Sequence, residues 1–144
     1  MTHLACFLGD LEVLKILNEK YKVDFNQTTR KGKLTGLHCA AQRKEGIVSI
    51  YYLKDNFAGF DPNITDAHGA TPLHYAIMSI EESNIEAMLS LGSDINQKDN
   101  QGDTSLHLAL VRYVDDQENY GVYKEIIKLL LQFGASRDLK NNKG

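Results

Sequence analysis

The 144-residue chain has no tryptophan, two prolines and only two cysteines. Two cysteines cannot build the disulfide framework of a small secreted domain, so Cys6 and Cys39 point to a reducing, cytoplasmic setting. Neither lies in a Cys-x-x-Cys pair, and no metal site is expected. No apolar run approaches the ~20 residues that cross a bilayer, and the N-terminus lacks a charged region followed by an apolar one, so neither direct membrane insertion nor a secretion signal is expected. A glycine-rich phosphate loop is missing. Basic residues are not interleaved with stacking aromatics, which argues against nucleic acid as a partner. The net charge of −3 has no positive excess, although residues 1–60 carry +3 and residues 61–144 carry −6.

What the chain does contain is a period. Thr2-His3-Leu4-Ala5, Leu37-His38-Cys39-Ala40, Leu73-His74-Tyr75-Ala76 and Leu106-His107-Leu108-Ala109 place a histidine in related contexts. Asp24-Phe25-Asn26, Asp61-Pro62-Asn63 and Asp94-Ile95-Asn96 run in step, as do Gly32, Gly69, Gly102 and Gly144. Three signals in one phase define a solenoid. Within a unit, Thr71-Pro72 reads as a helix start, since threonine caps free amides and proline tolerates the first helical position. Leu73, Ala76 and Ile77 make a short apolar face, and Ser83 can open a second helix through Ile85, Met88 and Leu89. Gly92 ends that helix in a left-handed conformation. Neither helix buries its apolar face alone, so stacking must supply the core.

The units resemble ankyrin repeats over essentially the whole chain. Asp66-Ala67-His68-Gly69-Ala70-Thr71-Pro72-Leu73-His74-Tyr75-Ala76 is similar to the family's D-x-x-G-x-T-P-L-H-x-A, and Leu89-Ser90-Leu91-Gly92-Ser93-Asp94-Ile95-Asn96 to its L-L-x-x-G-A-D-V-N. The resemblance implies one all-α domain, residues 1–144: a solenoid of about four stacked helix-turn-helix repeats with extended finger loops. The repeats run over 1–28 (partial), 29–65, 66–98 and 99–137, with the start of a further finger at 138–144. The chain is expected to be part of a longer repeat protein. Departures are Gly36 in place of the family's proline, one extra residue between Gly32 and Thr35, and about nine extra residues in repeat four. These nine are expected to form a loop near Val114 to Val122.

The repeated histidines are expected to be structural, because repeats stack roughly 10 Å apart, too far to share one zinc at ~2 Å. Adjacent Glu81-Glu82 and Asp115-Asp116 do not face each other across a substrate and read as solvated loop. Catalysis and cofactors are not expected. Arg30, Lys31, Lys33, Arg43 and Lys44 form a basic cluster able to contact an acidic protein, a phosphate or an anionic lipid.

The resemblance implies a non-catalytic module that binds another protein through a concave groove of finger tips and first helices. The groove positions carried over are Arg30, Lys31, Lys33, Ala67, His68, Ala70, Asn100, Gln101 and Asp103 in the fingers. At the ends of first helices they are Gln42, Arg43, Met78, Ser79, Val111 and Arg112. A monomer is expected. An alternative is the substrate-recruiting or regulatory domain of a larger membrane protein, a channel or a protein S-acyltransferase. His3-Leu4-Ala5-Cys6, Tyr51-Tyr52-Leu53 and the segment from Asp66 to Ala76 resemble the ankyrin domains of the latter.

Overall fold

A threonine followed three residues later by a histidine opens three of the helices, and the pair explains both where a helix starts and how one repeat is tied to the next. The backbone N–H of Thr35 donates to His38 Nδ1 at 3.2 Å, and the Thr35 hydroxyl lies 2.9 Å from the same nitrogen. Thr71 and His74 repeat this at 3.1 and 2.7 Å, Thr104 and His107 at 3.2 and 2.8 Å. An amide can only donate, so Nδ1 carries no proton and the ring proton sits on Nε2. That proton reaches across to the next repeat. His38 Nε2 donates to the Ala70 carbonyl at 3.0 Å, His74 Nε2 to Asp103 at 3.3 Å, and His3 Nε2 lies 2.8 Å from the Leu34 carbonyl. In every case the acceptor precedes the capping threonine of the following repeat.

The computed structural model describes residues 1–144 and contains eight helices and no strand. They are α1 (Thr2–Leu8), α2 (Leu11–Glu19), α3 (Gly36–Ala41), α4 (Ile47–Asn56), α5 (Pro72–Met78), α6 (Glu82–Ser90), α7 (Ser105–Asp115) and α8 (Tyr120–Gln132). Odd-numbered helices pack in one row, α1 to α3 to α5 to α7, with α2, α4 and α6 in a second row behind them. Small side chains allow the first row to close: Ala5, Ala40, Ala76 and Ala109, each two residues after its histidine, are buried. Between the rows lie Leu14, Ile50, Leu53, Leu73, Ile77, Ile85, Met88, Ile126 and Leu130, all essentially inaccessible. The second helix of repeat three, α6, begins one residue before the expected Ser83.

One departure from the repeat pattern, Gly36, acquires a cause in its contact with Cys6. Repeat two has Gly36 at the first helical position, where repeat three has Pro72. A Cβ on Gly36 would lie 2.7 Å from Cys6 Sγ, in a fully buried site. The Gly36 N–H also donates to the Phe25 carbonyl at 3.2 Å. Cys6 is larger than alanine and Gly36 smaller than proline, so each accommodates the other across α1 and α3. Gly36→Pro is therefore expected to destabilise the fold by about 1–2 kcal/mol through overpacking and a lost hydrogen bond, and Cys6→Ala in the same chain should recover part of the loss. Urea denaturation of the two single variants and the double variant measures the coupling. A stabilising Gly36→Pro, as expected of proline at an unstrained helix start, would refute the steric account.

The nine extra residues of repeat four do not form a loop. Helix α7 has 11 residues against 7 in α5, and α8 has 13 against 9 in α6. One further residue lengthens the turn, which is residues 116–119 against 79–81. The insertion thus adds about one helical turn to each member of the pair. Packing selects this outcome: Tyr113 on α7 stacks on Tyr120 of α8, with centroids 4.4 Å apart, and Tyr123 one turn further along α8 is buried in the core.

Candidate functional site: the finger–helix groove

Each finger turns on one side chain. Asp66 Oδ1 accepts the N–H groups of His68 and Ala70 at 2.8 and 2.9 Å, and Asp99 Oδ1 those of Gln101 and Asp103 at 2.8 and 2.9 Å. Repeat two uses Thr29, whose hydroxyl accepts the Leu34 N–H at 3.0 Å. Its extra residue is absorbed between Gly32 and Thr35, where Lys33 takes a positive φ of 52°. The finger still closes, Thr29 N–H to Leu34 carbonyl, as Asp66 closes on Ala70. Neighbouring fingers are joined by single backbone bonds: Ala67 N–H to Gly32, Asn100 N–H to His68 and Asn142 N–H to Gln101, at 2.9, 2.9 and 3.0 Å. They approach so closely at Gly69 that a Cβ there would meet Asn100 Oδ1 at 2.6 Å.

The positions expected at the groove fall at the surface. Arg30, Lys31, Lys33, Ala67, His68, Met78, Asn100, Gln101, Val111 and Arg112 are exposed, and Gln42, Arg43, Ala70, Ser79 and Asp103 are half-buried. Five of them, His68, Ala70, Met78, Gln101 and Asp103, share one cavity of about 250 Å³ between the fingers and first helices of repeats three and four. Tyr75, Leu108, Asp66, Asp99 and His74 complete its walls. The Tyr75 hydroxyl donates to Asp66 Oδ2 at 2.7 Å. Burial alone would raise the Asp66 pKa, but the hydrogen bonds from Tyr75, Ala70 and His68 outweigh it and hold the carboxyl below its ordinary value. Burial and the same carboxylate push the Tyr75 hydroxyl upward. The cavity floor is accordingly a fixed, ionised carboxylate bonded to a neutral phenol.

Not every expected position is free. Asn100 Nδ2 donates to the Ala67 carbonyl at 3.2 Å and Asp103 Oδ1 accepts from Asn141 Nδ2 at 2.6 Å, so both help to staple fingers together. Arg43 places its guanidinium over the Phe7 ring, 5.1 Å from the centroid. Sequence spacing also leaves one residue of the scaffold unseen. Asn84 on α6 is buried, and its amide donates to the carbonyls of Ala41 and Arg43 at 3.1 and 2.7 Å, gripping the inter-helix turn of repeat two from repeat three. The Asp-x-Asn signal, by contrast, was visible, and its bonding is now evident. The aspartate turns the chain locally, as Asp61 Oδ1 does for the Asn63 N–H, while Asn26 and Asn63 reach the Gly59 and Gly92 carbonyls one repeat on. No group of three or more His, Cys, Asp or Glu side chains is arranged to hold a metal ion.

Stacked helix pairs, histidine–threonine caps and fingers joined edge to edge define a repeat solenoid with a groove along one face. A family model for ankyrin repeats (three copies) matches residues 2–99 and 50–141. The chain belongs to the ankyrin-repeat family. It is 35% identical over 144 residues to a probable 26S proteasome regulatory subunit, p28, of Saccharomyces cerevisiae, a match covering 99% of this chain and 58% of the yeast protein. A palmitoyltransferase, AKR1, of Kluyveromyces lactis is 32% identical over 75% of this chain and 14% of its own length. An E3 ubiquitin-protein ligase, KEG, of Arabidopsis thaliana is 31% identical over 76% of this chain and 6% of its own. The chain spans little more than half of the yeast relative and small parts of the other two.

Proposed function

We propose that the chain is a non-catalytic protein-docking module whose partner lies in the groove formed by finger tips and first-helix ends. The observation that carries this reading is a division of labour. The histidines and threonines are committed to caps and the alanines to packing, while the 250 Å³ cavity presents Met78, Leu108, His68 and Gln101 outward from a rigid frame. A groove of apolar side chains rimmed by a few fixed polar groups is how protein anchors are received. The relatives support the same role. They share the repeat region within otherwise different proteins, and the one matching nearly the whole chain is named as a regulatory subunit of a large assembly. We assign this chain a protein partner, in the cytoplasm.

A second reading has its own support in the Kluyveromyces palmitoyltransferase match: the chain recruits substrates to a larger membrane enzyme. No helix here is long and apolar enough to cross a membrane; in this reading the repeats face the cytosol and use the same groove. The test serves both. With the partner identified by co-purification of the intact protein, Met78→Asp together with Lys31→Glu should weaken binding at least about tenfold, or ~1.4 kcal/mol. The contribution of Lys31 should shrink as salt is raised, because exposed charges are screened. Unchanged affinity in isothermal titration would sink the groove assignment.

A further inference from the structure

Register carries the groove further than the cavity of repeats three and four. Tyr75 and Leu108, which follow His74 and His107, line that cavity, as does Met78, four residues after His74. The same steps from His3 reach Leu4 and Phe7, with Leu8 beside them. All three are apolar, and they are 59%, 38% and 52% exposed, where a solvated helix face ordinarily shows polar side chains. The contact of His3 with the Leu34 carbonyl sets α1 beside the finger of repeat two. That finger is uniformly basic. From Phe25 to Lys44 the charged residues are Arg30, Lys31, Lys33, Arg43 and Lys44, with no carboxylate among them. Arg30, Lys31 and Lys33 at the tip are exposed and in no ion pair. The neighbouring elements supply no free counter-charge: α1 and α5 contain no Asp or Glu, and Asp66 in the next finger is buried and bonded to Tyr75 and two amides. Arg43 lies over the Phe7 ring and joins the basic part to the apolar part. The nearest carboxylates in sequence are Asp24, bonded to the Asn26 amide at the base of the finger, and Asp10 and Glu45 in inter-helix turns. Of these, Asp10 caps α2 and Glu45 follows Lys44.

We propose that the repeat-one end of the groove receives an acidic, amphipathic segment of the partner protein, with apolar side chains on Leu4 and Leu8 and carboxylates against Arg30, Lys31 and Lys33. The assignment rests on the groove reading and names the partner's chemistry at one end of it. Charge selects an acidic ligand, because a cationic segment facing this finger would be repelled. Extent selects a protein segment over nucleic acid or a bilayer. The basic stretch belongs to one repeat, whereas residues 61–144 carry −6. A long polyanion or an anionic membrane lying along the array therefore meets repulsion beyond repeat two, and a short acidic segment ends before it. Base stacking has no platform either. Phe7 already carries the Arg43 guanidinium, and no Phe, Tyr or Trp lies between Phe25 and Tyr51.

A short fluorescent peptide of leucines at helical spacing separated by glutamates is the probe, and its lysine counterpart the control. Fluorescence anisotropy with the intact protein should show binding of the glutamate peptide that weakens as salt is raised, and none of the lysine peptide. Lys31→Glu with Lys33→Glu should weaken binding at least about tenfold and flatten the salt dependence. Leu8→Asp should weaken it by a similar factor. Lys124→Glu with Lys128→Glu makes the same change in net charge on α8 and should leave binding intact. All five side chains are exposed, so these variants keep the fold, which circular dichroism verifies. The proposal is overturned if the native protein does not bind the glutamate peptide, if Leu8→Asp binds it as well, or if the α8 reversal is as damaging as that of the finger. Tighter binding of phosphatidylserine vesicles or of a single-stranded oligonucleotide than of the peptide overturns it too. So does dimerisation that Leu8→Asp abolishes, which would give the face to a second copy. The co-purified partner separates this proposal from the groove reading. Binding lost with Met78→Asp, but kept with Leu8→Asp and with the finger reversal, leaves the groove in place and removes the acidic segment alone.

Discussion

Gly46→Ala is expected to destabilise the protein by about 3 kcal/mol, the upper range for overpacking a closed interior site. Gly46 caps α4 at the end of the inter-helix turn in repeat two and is buried there with an ordinary negative φ of −61°. Conformational freedom is not the reason for glycine here. An added Cβ would strike the Ala40 carbonyl oxygen and lie 2.8 Å from its carbon and 2.9 Å from the Arg43 carbonyl oxygen. All three are backbone atoms, so no rotamer change can make room. The turn cannot easily move either, because Asn84 holds the Ala41 and Arg43 carbonyls from the neighbouring repeat. Shifting the turn would break those bonds and leave buried carbonyls unpaired, at about 1–3 kcal/mol. Chemical denaturation gives the answer directly. A Gly46→Ala protein within about 0.5 kcal/mol of the native one, inside the range of harmless surface changes, would show that the turn is plastic and the Asn84 staple weak.

The same region shows what sequence could reveal and what it could not. The helix starts at Thr35, Thr71 and Thr104 were legible because capping is local: threonine, histidine and amide lie within one turn. The fingers were legible for a similar reason, since Asp66 and Asp99 bond to amides two and four residues away. Non-local pairings were not. The run from Val114 to Val122 reads as a loop by propensity, yet α7 continues to Asp115 and α8 starts at Tyr120, and only residues 116–119 turn between the stacked Tyr113 and Tyr120. Asn84 carries no signal in its own repeat, because its acceptors are the Ala41 and Arg43 carbonyls of the neighbouring one. Gly36 reads as an isolated exception to the pattern until its contact with Cys6 is measured. The groove was placed by resemblance and falls at the surface, but which of its members are tied down, Asn100 and Asp103, depends on partners 33 and 38 residues away.

The histidine caps make stability depend on pH with a definite sign, and the effect should be large. His38 and His74 are buried, and burial pushes both below the ordinary histidine value of 6.5 despite hydrogen bonds and carboxylates that favour the charged ring. Geometry gives the same direction. Protonating Nδ1 of His74 would set an N–H against the Thr71 amide, which can only donate. In the unfolded chain these rings titrate normally, so below about pH 6.5 the unfolded state binds protons that the folded state refuses. Stability from the neutral caps is therefore complete above that pH and is lost as pH falls. One refused proton corresponds to about 1.4 kcal/mol per pH unit. Urea denaturation at pH 7.5 and 5.5 should show a clear loss on acidification. His74→Ala should be about 2–3 kcal/mol less stable at pH 7.5, because the Thr71 amide and Asp103 carbonyl lose their partner in a closed interior. Its further loss at pH 5.5 should also be smaller than that of the native protein, since one refusing site is gone. A chelator should leave both proteins unchanged. If acid stabilises the native fold, or if His74→Ala keeps the full pH dependence, the ring is not the neutral bridge between repeats three and four that its bonds describe.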